Sequence, residues 1–187
     1  MFMRNAVNRD EVLEDIKSNW EGVEIRSAKV NWNDPYYMFK KKYTFGDGTS
    51  KDYHVGSDYC PLVYILWEKS FWSWTMLRNG KSERPTQRMR TYKNNNPYRE
   101  YNIEIVEEAT HIDYIQFPKL RDELSKHPYY GSPERHAAYQ NLMKEVYGLE
   151  RHLIWNYHPK YNILDRDPSK LCKWTDPKHT LEHYGGM

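Results

Sequence analysis

The tightest constraint on the fold is one short apolar run. Residues 61–67 read Pro-Leu-Val-Tyr-Ile-Leu-Trp, without a charge among them. Branched and aromatic side chains at successive positions suit a central strand. The run is strand length, well short of the ~20 residues that span a bilayer. A sheet therefore has to be built around it. Residues 71–77, Phe-Trp-Ser-Trp-Thr-Met-Leu, supply a second strand after a turn at 68–70. Arg78, Asn79, Gly80, Lys81 and Ser82 break that strand, with Gly80 allowing a sharp bend or a close approach. Residues 102–106 read as a third strand, with Glu104, Glu107 and Glu108 on its solvent side.

Helices are signalled by their ends. Asn8 can cap a helix over 8–20, with Asp10 and Glu11 in the first turn and Val12, Leu13, Ile16 and Trp20 on one side. Pro85 fits the start of a short basic helix over 86–92. Residues 118–127 carry Leu120 and Leu124 four apart. Ser132 and Pro133 open a long helix that runs to about residue 157, where Pro159 stops it. Strand patterns over 23–32, 36–45 and 51–55, with a hairpin turn at 45–48, follow the first helix. The expected architecture is α/β (α+β), a small central antiparallel sheet flanked by helices. Its expected organisation is a helix-plus-meander extension over 1–58, a main domain over 59–167 and a tail over 168–187.

Composition narrows the function less than the fold. Aromatic residues make up 16% of the chain, with 17 Tyr and 7 Trp. Such rings serve a compact core, a nucleic-acid surface or a protein interface equally. The net charge is only +2, so a nucleic-acid site must come from local clustering. One cluster exists: residues 78–102 carry a net +5, and residues 103–123 a net −4. Cys60 and Cys172 match no metal spacing, and the eight His offer no tight ligand pair on a recognised element. No apolar signal core opens the chain and no membrane span is expected, so the expected location is cytoplasmic.

Two stretches carry candidate chemistry. Glu150 to Asn162 reads Glu-Arg-His-Leu-Ile-Trp-Asn-Tyr-His-Pro-Lys-Tyr-Asn. It sets an acid against an apolar helix stripe and a rigid turn, a position suited to a general base or a metal ligand. On spacing alone, a solvated helical Glu before an ordinary helix stop explains it as well. Gly80 to Tyr92 reads Gly-Lys-Ser-Glu-Arg-Pro-Thr-Gln-Arg-Met-Arg-Thr-Tyr, and by itself is equally a solvated basic helix face.

Together these stretches resemble the GIY-YIG nucleases. The pattern E-x-x-x-I-x-x-x-x-P-x-Y-N is characteristic of the end of that domain. It is especially similar to the first nuclease domain of bacterial excision-repair incision proteins, including Ile163, Leu164, Arg166 and Asp167. Val63-Tyr64-Ile65 matches the first signature, with Val63 in place of its Gly. Gly80, Arg88 and Tyr92 match the Gly, the Arg eight residues on and the aromatic one turn later. The second signature departs from the pattern, with Arg78-Asn79-Gly80 where Tyr-Ile-Gly is usual.

The resemblance covers roughly residues 60–167. It implies a divalent-metal-dependent DNA endonuclease with Tyr64, Arg88, Tyr92 and Glu150 as catalytic residues. Glu150 would be the ligand of a single Mg²⁺ or Mn²⁺, and Gly80 and Asn162 would be structural. Lys81, Arg84, Arg90 and Lys93 would bind flanking phosphates. The chemistry is coherent: one carboxylate holds a hard cation whose other ligands are water, and an arginine fork matches phosphate oxygens. Tyr64 would orient or deprotonate the attacking water. RNA is not distinguished from DNA, because no residue type here senses the 2′-hydroxyl. One such site cuts one strand, so duplex cleavage calls for a homodimer or two events. Restriction, homing, repair and phage genome degradation all fit. The competing expectation is a catalytically impaired domain of this type that binds nucleic acid or protein without cutting.

Overall fold

The computed structural model describes residues 7–44, 48–54, 61–94 and 102–162. In chain order they form α1 (Arg9–Asn19), β1 (Glu24–Lys29), a 3-10 turn (Tyr37–Phe39), β2 (Lys40–Thr44) and β3 (Ser50–His54). Then follow β4 (Leu62–Lys69), β5 (Trp74–Ser82), α2 (Pro85–Lys93), α3 (Asn102–Glu108), β6 (His111–Gln116), α4 (Pro118–Ser125) and α5 (Pro133–Tyr157). The main sheet has four antiparallel strands in the order β1-β6-β4-β5, and β2 pairs with β3 in a separate ribbon. This is a mixed α/β fold with a small antiparallel sheet flanked by helices.

The apolar run lies in β4, between β5 and β6, and residues 61–67 are all buried. Alternation explains why no position in it is polar: successive side chains enter opposite layers. Val63, Ile65 and Trp67 pack with Val12 and Ile16 of α1 and with Leu142, Val146, Leu149 and Leu153 of α5. Leu62, Tyr64 and Leu66 pack on the other face with Met89 and Tyr92 of α2, Ile105 of α3 and Phe39 of the 3-10 turn. Helix ends follow the sequence signals. Asn8 Oδ1 accepts the Asp10 amide, Ser132 Oγ accepts the Arg135 amide, and Pro85, Pro118 and Pro133 occupy first-turn positions. His158, in the left-handed region at φ 47°, ends α5 before Pro159.

The structure corrects several of the sequence expectations for the strands. Residues 102–106 are not a strand but part of α3, whose buried Asn102 and Ile105 are followed by buried Ala109 at helical spacing. The missing strand is β6, where Ile112, Tyr114 and Ile115 are buried together with the polar Asp113 and Gln116. Those two polar residues interrupt the apolar pattern. Likewise, Phe71 and Trp72 are in a turn, and β5 runs unbroken through Gly80 to Ser82. The expected 36–45 strand divides into the 3-10 turn and β2.

Residues from the 1–58 stretch share the central layers: β1 pairs with β6, and α1 covers one face. Asp113 ties them in. Arg9 donates to it from Nε at 2.8 Å and from a terminal nitrogen at 2.5 Å, Ser27 Oγ at 2.6 Å and Trp67 Nε1 at 2.8 Å. A buried carboxylate is tolerated only when its oxygens are so occupied. The 45–47 part of the hairpin turn, Cys60, the 95–97 loop, Ile163, Leu164, Arg166, Asp167 and the 168–187 tail lie outside the described residues.

Candidate functional site

The site forms around β5 near Gly80. Tyr64 on β4 lies directly opposite Gly80 in the strand register. Its ring crosses over that position so closely that a Cβ on residue 80 would sit 2.6 Å from the Tyr64 hydroxyl and 2.8 Å from Cζ. Glycine is required here by the approach of a side chain, and not by backbone conformation, since Gly80 is not left-handed. The space left by the absent Cβ is filled by the phenol.

Helix α2 then brings two partners to that phenol. Tyr92 Oη is 2.8 Å from Tyr64 Oη, and Arg88 Nε donates to Tyr64 Oη at 3.2 Å. Both tyrosines are buried, with Tyr64 at 0% exposure and Tyr92 at 2%. Burial, followed by the neighbouring Tyr64 charge, pushes the Tyr92 pKa up, so Tyr92 keeps its proton throughout the neutral range. Arg88 is half-buried. Burial acts to lower its pKa, but the Tyr64 and Tyr92 oxygens and the Glu150 carboxylate outweigh that and raise it. It makes no ion pair among the described residues, and the hydrogen bond to Tyr64 occupies only Nε. Among the described residues its two terminal nitrogens make no hydrogen bond.

Arg88 lines a shallow, open depression of about 300 Å³ with Ser82, Glu83, Arg84, Gln87 and Thr91. Residues 84, 87, 88 and 91 recur at helical spacing, so one face of α2 provides most of that wall. Arg90 and Lys93 are exposed on other faces of α2 and do not line it. Lys81 stands on the α5 side, its ammonium 4.0 Å from the centre of the Tyr147 ring. The structure thus gathers Tyr64, Tyr92, Arg84 and Arg88, and leaves Arg90 and Lys93 apart from them.

Glu150 and Asn162 reach β5 from its outer edge. Glu150 Oε1 accepts the Lys81 amide at 3.0 Å, and its carbonyl accepts Asn79 Nδ2 at 2.9 Å. Asn162 pairs with the Asn79 backbone twice: Oδ1 accepts the amide at 3.0 Å, and Nδ2 donates to the carbonyl at 3.0 Å. The Lys160 and Tyr161 amides donate to the Met76 and Leu77 carbonyls at 2.9 and 2.7 Å. The chain after α5 thus occupies the backbone groups of an edge strand, as an edge must be occupied to avoid foreign pairing. Arg88 on α2 and Glu150 on α5 flank this edge, and the Glu150 charge adds a minor part to the rise in the Arg88 pKa.

Among the described residues no group of three or more His, Cys, Asp or Glu gathers to hold a metal. The donor set nevertheless fits a hard cation. Glu150 is a single carboxylate oriented by a backbone amide, and Mg²⁺ characteristically takes one or two carboxylates and keeps several waters.

Sequence reasoning missed two contributors. Asn79 departs from the family signature, yet it joins β5 to both Glu150 and Asn162. Its polarity within an apolar strand was the available signal. Glu83 accepts the Tyr139 hydroxyl at 2.6 Å and so fastens the β5–α2 connection to α5; nothing in the local pattern pairs residues that far apart.

No family model matches the chain, and no match was found among curated proteins or solved structures. No helix among the described residues is long and apolar enough to cross a membrane.

Proposed function

We propose that this protein is a metal-dependent endonuclease of the GIY-YIG type acting on DNA, with Arg88 as the phosphate clamp. The observation that carries the reading is the state of Arg88. It is half-buried, held at Nε by Tyr64, which is itself bonded to the buried Tyr92, unpaired with any described carboxylate, and set beside Arg84 in the wall of an open depression. Such a fork is preorganised for phosphate oxygens and offsets charge on a pentavalent phosphate without further rearrangement.

In this reading Tyr64 and Tyr92 act chiefly by orienting Arg88, since the Tyr64 hydroxyl is covered. Arg84 binds an adjacent phosphate, and Lys81, Arg90 and Lys93 contribute the wider positive field. Contacts of this kind position the backbone and do not read bases. Glu150 would hold one Mg²⁺ or Mn²⁺. When bound, that ion supplies polarisation of a phosphoryl oxygen and neutralisation of the departing one. Asn79 and Asn162 fix the strand edge on which Glu150 leans.

The test is nicking of supercoiled plasmid with and without Mg²⁺ or Mn²⁺, using the parent, Arg88→Ala and Glu150→Ala, each checked for folding by circular dichroism. Cutting should require the metal and fall about 10²–10³-fold in Arg88→Ala, by analogy with removal of one transition-state donor. Folded Glu150→Ala should not cut. Undiminished cutting by both variants would remove this site from the chemistry.

A second reading is favoured by two specific features, the full burial of Tyr64 and the engagement of Glu150 with the Lys81 amide. In it the domain grips nucleic acid through the same arginines and does not cut. Arg88-dependent binding with no metal-dependent cutting on plasmid, single-stranded, branched or RNA substrates would select it.

A further inference from the structure

The turn between β4 and β5 presents the two most exposed large apolar side chains among the described residues. Phe71 is 90% exposed and Trp72 91%. They are not on a loose loop. The Ser70 amide donates to the Ser73 carbonyl at 3.0 Å, and the Ser70 hydroxyl reaches the Ser73 carbonyl at 3.0 Å and its hydroxyl at 2.7 Å. The rings pack edge to face, 5.1 Å between centroids. The tied backbone fixes where the two rings leave the turn, which limits the backbone freedom lost when something flat meets them.

The surroundings are cationic. Behind the turn, Lys69 and Arg9 flank the Trp74 ring, 5.1 and 5.0 Å from its centre, and His111 packs edge-on against the same ring at 5.0 Å. Lys29 lies opposite His111 in the sheet. Arg9 is neutralised by Asp113, whereas Lys69 and Lys29 are exposed and make no ion pair among the described residues. Burial, then Lys69, Arg9 and Lys29, lowers the His111 pKa, in keeping with a positive field at this end of the sheet.

Among the described residues, Phe71 and Trp72 are the only strongly exposed large apolar side chains of this turn. Ser70 and Ser73 close the turn, and the charged Glu68 and Lys69 precede it. Two aromatic side chains bury at most about 500 Å² in all, well below the roughly 1,200–2,000 Å² of a stable protein interface. Two rings are, however, the right scale for one or two bases. We infer that the Phe71–Trp72 turn is a second nucleic-acid contact, stacking on unpaired bases while Lys69 and Lys29 attract the adjoining phosphates. The inference rests on the nucleic-acid partner proposed above. The turn is distinct from the Arg88 depression, because the strand from Trp74 to Ser82 spans about 26 Å.

The test measures binding, not cutting. Fluorescence anisotropy of a labelled 20-nucleotide single strand and of its duplex is recorded in EDTA, on a Glu150→Ala background. Phe71→Ala and Trp72→Ala should each weaken single-strand binding roughly 5-fold or more, given the usual strength of base–aromatic stacking. Duplex binding should change less. Trp72→Phe should retain most of the single-strand affinity, and Arg88→Ala should weaken both substrates.

If the double alanine variant binds the single strand as tightly as its parent while Arg88→Ala does not, the turn is no nucleic-acid contact and the Arg88 reading stands. If the parent binds neither substrate, both readings fall. Ring-dependent binding to anionic phosphatidylserine vesicles, with nucleic-acid affinity untouched by the substitutions, overturns the inference in favour of a lipid surface. Dissociation of an oligomer in the double variant, without an effect on the single strand, overturns it in favour of a second copy of the chain.

Discussion

Substituting Gly80 by Ala tests the coupling between sheet and site most directly. The new Cβ would lie 2.6 Å from Tyr64 Oη and 2.8 Å from Cζ, where ordinary contact begins near 3.4 Å. Something must move by about 0.8 Å. Backbone conformation is no obstacle, because Gly80 is not left-handed. In open space, Gly→Ala at such a position would stabilise by about 0.4–1 kcal/mol through the unfolded chain. The phenol cannot swing to solvent, since it is fully buried and bonded to Tyr92 and Arg88. Overpacking typically costs about 1–3 kcal/mol, and each hydrogen bond lost adds about 1 kcal/mol.

The net expectation is a loss of roughly 2–3 kcal/mol, read from urea denaturation. In a domain of this size that is about 4–12 °C in Tm. On a Tyr64→Phe background the same substitution should cost less, because the 2.6 Å contact is gone, but not nothing, because the 2.8 Å contact to Cζ remains. Arg88-dependent nucleic-acid binding should fall as well, as its anchor is displaced. A Gly80→Ala protein with an unchanged or higher urea midpoint would refute the steric argument, and with it the claim that Tyr64 positions Arg88 through this slot.

Further outcomes follow from the same contacts. Asp113→Ala should destabilise by about 3–5 kcal/mol, the usual result of breaking a buried pair, because Arg9 and Trp67 Nε1 lose their acceptor; a urea midpoint within error of the parent would contradict this. His111 holds its proton less tightly in the fold than the ordinary 6.5, so below that pH the unfolded chain binds more protons and stability should fall as pH drops from 6.5. Replacing His111 by Gln should flatten the urea midpoint across that window. Asp15 opposes burial with hydrogen bonds from His152 and Tyr157 that hold its carboxyl below 3.8. Its contribution is present above that pH and lost as pH falls through the lowered value, and the acid-side slope should be shallower in Asp15→Asn.

Much of the scaffold was legible because its signals are local. Asn8, Pro85, Ser132, Pro133 and Pro159 mark helix ends through groups within a few residues of themselves, and the β4 run announces a strand with two covered faces. The β6 strand was hidden because Asp113 and Gln116 belong to it for reasons that lie elsewhere: Asp113 is polar inside the fold because Arg9, 104 residues away, meets it there. The 102–106 stretch misled because Ile103 and Ile105 mimic a period of two, although Ile103 is 53% exposed and Ile105 is buried. At the candidate site, the residues were named by the resemblance to the GIY-YIG pattern, since spacing alone left an ordinary solvated reading open. That Tyr64 requires Gly80, or that Asn79 serves Glu150, depends on strand register and on the docking of α5, and neither is written in any short window.

The outer side of β5 is closed by Glu150, Lys160, Tyr161 and Asn162, all of them translated long after the strand they cover. During synthesis, the strand leaves the ribosome some seventy residues before its cover does. For that interval a growing chain carries an open ladder of amides and carbonyls, and crowded polysomes would bring such ladders together. Slow codons between β5 and the end of α5 should therefore lower soluble yield more than slow codons placed after residue 162.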